Sequence, residues 1–84
     1  MEEITLRLRV RRLVQSGEVP CEEPGKTWAG RGNGTHCAAC GEPIGPTEIE
    51  FEAELSSGAT LRLHRVCHDV WREECEALTA RDRD

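Results

Sequence analysis

Hydrophobic and polar residues alternate without a break over residues 48–55, EIEFEAEL. Ile49, Phe51, Ala53 and Leu55 fall on one side, and Glu48, Glu50, Glu52 and Glu54 on the other. A period of two marks a half-buried strand. Ser56-Ser57-Gly58-Ala59 follows with turn composition, and Thr60-Leu61-Arg62-Leu63 returns as a second strand. The segment therefore predicts a β-hairpin, and its glutamates predict a solvated outer face. The period then changes. Over residues 65–80, Cys67, Trp71, Glu74, Cys75 and Leu78 recur at helical spacing, with Val66 and Val70 widening the stripe. This predicts a helix, followed by a polar tail at 81–84.

The amino-terminal segment reads two ways. Ile4, Leu6, Leu8 and Val10 alternate with Thr5, Arg7, Arg9 and Arg11, as in a strand, whereas Leu6, Val10, Leu13 and Val14 form a helical stripe. A length of about 14 residues and the Arg/Leu content favour a helix within residues 1–17 over a strand. Residues 18–35 hold Pro20, Pro24 and four glycines, which predicts an extended connector. Trp28 is its only large apolar group. It is expected to fold back and pin the connector to the core, the alternative being an exposed anchor for a partner.

The candidate chemistry lies in the cysteines and histidines. Cys37 and Cys40 are spaced C-x2-C, and His64 and Cys67 are spaced H-x2-C, with 23 residues between the pairs. Each pair can close a small chelate, and the gap is long enough to bring them together. The spacing predicts one structural Zn2+ in a closed Cys3His site. Residues 37–46, CAACGEPIGP, read as a zinc knuckle, and Gly41 follows Cys40 where it must turn tightly. His36 and His68 adjoin the proposed ligands and are the alternatives if one is replaced. A redox reading of C-x2-C needs a βαβ context that is missing here, and a Cys37 nucleophile has no orienting group. Cys75 reads as a buried packing residue and Cys21 as a free thiol. A Cys21–Cys75 disulfide runs against the reducing compartment that the metal-type cysteine spacing suggests. Gly25-Lys26-Thr27 lacks the earlier glycine and the strand of a phosphate-binding loop, and Gly30–Gly34 lacks a dinucleotide-site context.

Knuckle, hairpin and helix in that order, with a ligand pair at each end, resemble the treble-clef arrangement. The motif C37-x2-C40-x23-H64-x2-C67, with Ile44, Leu63 and Trp71 around it, is similar to a LIM half-site and to poly(ADP-ribose) polymerase-type zinc fingers. The likeness covers residues 36–75. A LIM module would need a second zinc site, which His68, Asp69 and Cys75 do not complete. The polymerase fingers bind DNA through basic surfaces, whereas this hairpin presents glutamates. The resemblance implies a small α+β zinc-binding domain over residues 36–80, preceded by an amino-terminal helix.

Composition sharpens this reading. With 84 residues, 37% of them hydrophobic, one Phe, two Trp and no Tyr, the chain can build only a thin core that needs a staple. The net charge is −5, unevenly spread: Arg7, Arg9, Arg11 and Arg12 against Glu2 and Glu3 make residues 1–12 net +2. An acidic body disfavours nucleic acid. There is no apolar leader and no spanning run, so a cytoplasmic location is expected. A closed zinc leaves no open position for water, and no catalytic constellation stands elsewhere, so no enzyme activity is expected. The leading expectation is a zinc-stabilised module that contacts a protein partner, a basic one if the glutamate face is used. The alternatives are a nucleic-acid-binding regulator using the arginine cluster and a thiol redox protein using Cys37 and Cys40.

Overall fold

The computed structural model describes residues 2–82, and the side chains of 2–80. Met1 and residues 83–84 of the expected polar tail lie outside the described residues. The elements in order are α1 (Glu3–Gln15), β1 (Lys26–Arg31), β2 (Ile49–Glu54), β3 (Thr60–His64) and α2 (Arg65–Asp82). The three strands form one antiparallel sheet in the order β1-β2-β3.

The amino-terminal segment is a helix. Its helical stripe decides this: Leu6 and Val10 are buried, and Leu13 and Val14 pack against the same core, while Ile4 and Leu8 stay exposed. Those contacts are with α2, so tertiary packing selects one of two periodicities the residues allow.

The hairpin forms with Glu50 opposite His64, Glu52 opposite Arg62 and Glu54 opposite Thr60. Phe51, Ala53, Leu61 and Leu63 share the face turned to α2, where Ala53 and Leu63 are fully buried and Phe51 stacks on His68 at 4.8 Å. One part of the expected alternation does not hold. Ile49 is 48% exposed, and Glu50 is 4% exposed. Glu50 lies between Gly30 and His64 in register and is covered despite its charge. Its Oε1 is buried with no hydrogen-bond partner among the described residues. The glutamates therefore do not form a uniformly solvated face.

The connector expected over 18–35 contains a strand. Lys26–Arg31 pairs with β2 along its whole length, from Lys26 opposite Glu54 to Arg31 opposite Ile49. Every residue of β1 is exposed. A strand with no buried face has no apolar alternation, so only its ladder to β2 marks it. Trp28 is 48% exposed, opposite Glu52 on the face away from α2. It does not pin the connector. Trp71 does that: its indole N–H donates to the Pro20 carbonyl at 2.8 Å, and an Arg72 guanidinium N–H donates to the Glu22 carbonyl at 3.0 Å.

These two bonds hold residues 20–22 along α2 and bring Cys21 and Cys75 to a Cα separation of 5.3 Å, where they form a disulfide. The expected free thiol at Cys21 and plain packing role for Cys75 are thus corrected. Two of the five cysteines are bonded, so cysteine usage no longer points to a reducing compartment. Among the described residues no helix is long and apolar enough to cross a membrane.

Candidate metal centre

Three elements meet at the site. The knuckle is built first by local backbone bonds: Cys37 N–H donates to the Glu42 carbonyl at 2.9 Å and Gly41 N–H to the Cys37 carbonyl at 3.0 Å. Gly41 sits at φ +79°, a conformation that closes the turn behind Cys40 and strains any residue with a Cβ. The knuckle is tied to the sheet at Ala38, whose N–H donates to the Arg62 carbonyl at 2.9 Å. It is tied again at Gly32, where a Cβ would overlap the Ile44 and Gly45 carbonyl oxygens. His64 ends β3 and Cys67 lies in the first turn of α2, three residues on and on the same side.

The ligand atoms of Cys37, Cys40, His64 and Cys67 all lie within 4.8 Å of one another. His36 is exposed on the outer side of the knuckle, bridged to Pro43. His68 stacks between Phe51 and Trp71, with ring centroids at 4.8 and 6.0 Å. Neither joins the four.

His64 turns Nδ1 to the thiols, at 3.4 Å from Cys40 Sγ and 4.0 Å from Cys67 Sγ. A tetrahedral zinc with ordinary Zn–S and Zn–N lengths separates such atoms by about 3.6 Å. The donor set and its spacing therefore fit one divalent ion with a preference for sulfur and imidazole. Electrostatics point the same way. Hydrogen bonding from Cys67 pulls the Cys37 thiol well below its usual range, with burial opposing. The same pairing with Cys37, then burial, drives the Cys67 thiol far up. Burial raises Cys40. Burial alone would lower His64, but the Cys37 thiolate and then Glu48 raise it. Three thiols this close cannot all ionise without a cation among them.

No protein-family model, curated protein or solved structure matched this chain.

Two supporting contacts were not anticipated from sequence. Glu48 Oε1 accepts the Gly45 N–H at 2.8 Å, while its Oε2 lies 3.5 Å from His64 Nε2. A carboxylate there orients the imidazole with Nδ1 toward the thiols. Arg9 Nε–H donates to the Ala39 carbonyl at 2.6 Å, fastening the knuckle to α1. Glu48 is readable only as one of four alternating glutamates, and nothing in the sequence pairs Arg9 with the knuckle.

The arginine cluster is largely engaged within the chain. Arg7 contacts Glu3 at 3.0 Å, Glu73 at 2.6 Å and Glu74 at 3.6 Å, and Arg11 bonds Glu74 at 2.9 Å. Of the four arginines, only Arg12 has no acceptor among the described residues.

Proposed function

We propose that this chain is a zinc-binding, non-catalytic module of treble-clef type whose role is contact with a protein partner. The observation that carries the reading is the Cys3His donor set, with four ligand atoms within 4.8 Å on the knuckle, the end of β3 and the start of α2. Four protein donors complete a tetrahedral zinc and leave no position for substrate or water. The ion in such a site supplies folding free energy rather than chemistry, apparent values being about 10–16 kcal/mol for structural zinc peptides. Glu48 orients His64, Arg9 fastens the knuckle, and Gly41 and Gly32 permit its turns.

Protein contact is favoured over nucleic acid by where the cations are spent. Arg7, Arg9 and Arg11 bond acceptors of the same chain. The remaining surface belongs to a chain of net charge −5.

Native mass spectrometry should find one zinc per chain, and chelation should abolish cooperative melting of the sheet and α2. The zinc-loaded chain, carrying a photo-crosslinker, is then incubated with extract of its own cells before and after nuclease treatment. Crosslinks to protein that survive nuclease support the reading. Melting that is indifferent to chelation overturns the zinc assignment, and crosslinks lost to nuclease overturn the choice of partner.

A further inference from the structure

The geometry points to the free edge of β1 as a docking site for an extended acidic segment of a partner protein, added as a fourth strand. This rests on the reading of the chain as a protein-contact module and names where and what it binds.

β1 is an outer strand of the sheet. The Gly32 N–H to Glu48 carbonyl bond, at 3.0 Å, continues the β1–β2 register and sets its parity. Residues 26, 28, 30 and 32 turn their backbone groups toward β2. Thr27, Ala29 and Arg31 turn their N–H and C=O groups the other way. No hydrogen bond to these outward groups occurs among the described residues, and all six residues of β1 are exposed. Three consecutive donor–acceptor pairs on an open edge are a template for an incoming strand.

The side chains specify the occupant. Lys26 and Arg31 stand at the two ends of the strand, and neither has a carboxylate within 4.0 Å among the described residues. A second copy of the chain would bring two more cations to the same short edge. Like charge therefore disfavours self-pairing, while carboxylates about five residues apart on an incoming strand would meet one cation each. Between the cations, Trp28, Ala29, Gly30 and Glu52 border a shallow depression of about 370 Å³. Gly30 presents no side chain beside the Trp28 ring, so an apolar residue of the incoming strand can lie across it. A half-exposed Trp at the centre of an open edge is the kind of anchor that carries binding energy.

Selection of a displayed library of random octapeptides against the intact chain tests this. Enriched peptides should alternate apolar residues with at least two carboxylates, and the synthetic peptide should slow amide exchange at Thr27, Ala29 and Arg31. The variant Lys26→Glu/Arg31→Glu should weaken binding at least about tenfold. N-methylation of one edge-facing peptide amide, which leaves the protein untouched, should weaken it about fivefold. Enrichment of basic peptides, or of none, overturns the inference. Acidic peptides that protect α1 or the knuckle instead of β1 also overturn it, yet leave the contact-module reading standing. Concentration-dependent dimers protected at Thr27, Ala29 and Arg31 would replace the acidic partner by a second copy and overturn the inference. Crosslinking to a protein partner with no protection at β1 separates failure of the edge from failure of the module.

Discussion

Glu74→Gln tests whether the amino-terminal arginines belong to the fold. Glu74 is 6% exposed on α2. Its Oε1 accepts the Arg11 Nε–H at 2.9 Å, and its Oε2 lies 3.6 Å from Arg7 Nη1. Glutamine keeps the shape and one acceptor but removes the charge. A hydrogen bond to a charged group contributes about 1.5–3 kcal/mol. The Arg7 and Arg11 side chains are 30% and 40% exposed, so water takes up part of their loss. That exposure and the longer second contact place the expected cost near the bottom of the range, at about 1.5–2 kcal/mol. For a domain of this size it corresponds to a fall in Tm of roughly 6–16 °C.

Arg11→Ala should cost more, about 2–3 kcal/mol, because among the described residues it leaves a buried carboxylate with only the 3.6 Å contact to Arg7. Urea unfolding of both single variants and the double variant gives the coupling, expected to exceed about 1 kcal/mol for a pair in direct contact. Raising salt from about 0.05 to 0.5 M should change it little, since Glu74 is shielded from solvent. Costs below about 0.5 kcal/mol with no coupling would mean a solvated pair, and the arginine arm would be free for an external acidic ligand.

Four further outcomes follow from particular contacts. Zinc affinity should fall as pH falls. Cys40, Cys67 and His64 hold their protons above their usual pKa values in the metal-free chain, and binding must displace them. A loss of roughly 100-fold per pH unit is expected for the two thiol protons of Cys40 and Cys67, steepening where His64 is also protonated, read by competition with a chelator, and a flat profile would refute it. The Cys21→Ser/Cys75→Ser variant should lose about 4 kcal/mol by chain entropy, given a sequence separation of 54, measured by melting without reductant. Gly32→Ala should cost about 1–3 kcal/mol, because the knuckle cannot approach the sheet with a methyl between them. Glu50→Leu should stabilise the fold by about 1–2 kcal/mol, since it removes a buried carboxylate oxygen with no partner among the described residues, and a destabilised variant would show that Glu50 is satisfied in solution.

The parts of this fold legible in the sequence are those where burial writes a period. Leu6 and Val10, Ala53 and Leu63, and Val70 and Trp71 are all buried where their spacing places them. The four proposed ligands are legible for a different reason, since a chelate sets short fixed spacings whatever surrounds it. β1 was hidden because a strand held only by a ladder imposes no side-chain pattern. The disulfide was hidden because proximity of Cys21 to Cys75 depends on Trp71 reaching Pro20 across 51 positions. Glu50 was misplaced because alternation sorts side chains by face and is blind to what covers a face.

The staples and the hidden strand are connected. β1 gains nothing from burial, yet it is extended and paired over six residues. On its amino-terminal side the chain is fixed by the Cys21–Cys75 disulfide and by the bonds from Trp71 and Arg72 to Pro20 and Glu22. On its carboxyl-terminal side Gly32 N–H bonds Glu48, Gly34 N–H bonds Ile44, and the chain enters the knuckle at Cys37. An exposed strand anchored at both ends loses little further entropy when another strand is laid along it, because its backbone is already set. The disulfide joins it to α2 near the middle, at Cys75, and a metal held by Cys37, Cys40, His64 and Cys67 would join it near the start. Loss of the disulfide should therefore loosen β1 before it unfolds α2, and β1 amide exchange should report it. Equal protection of β1 and α2 after removal of the disulfide would mean that the ladder to β2 alone holds the edge.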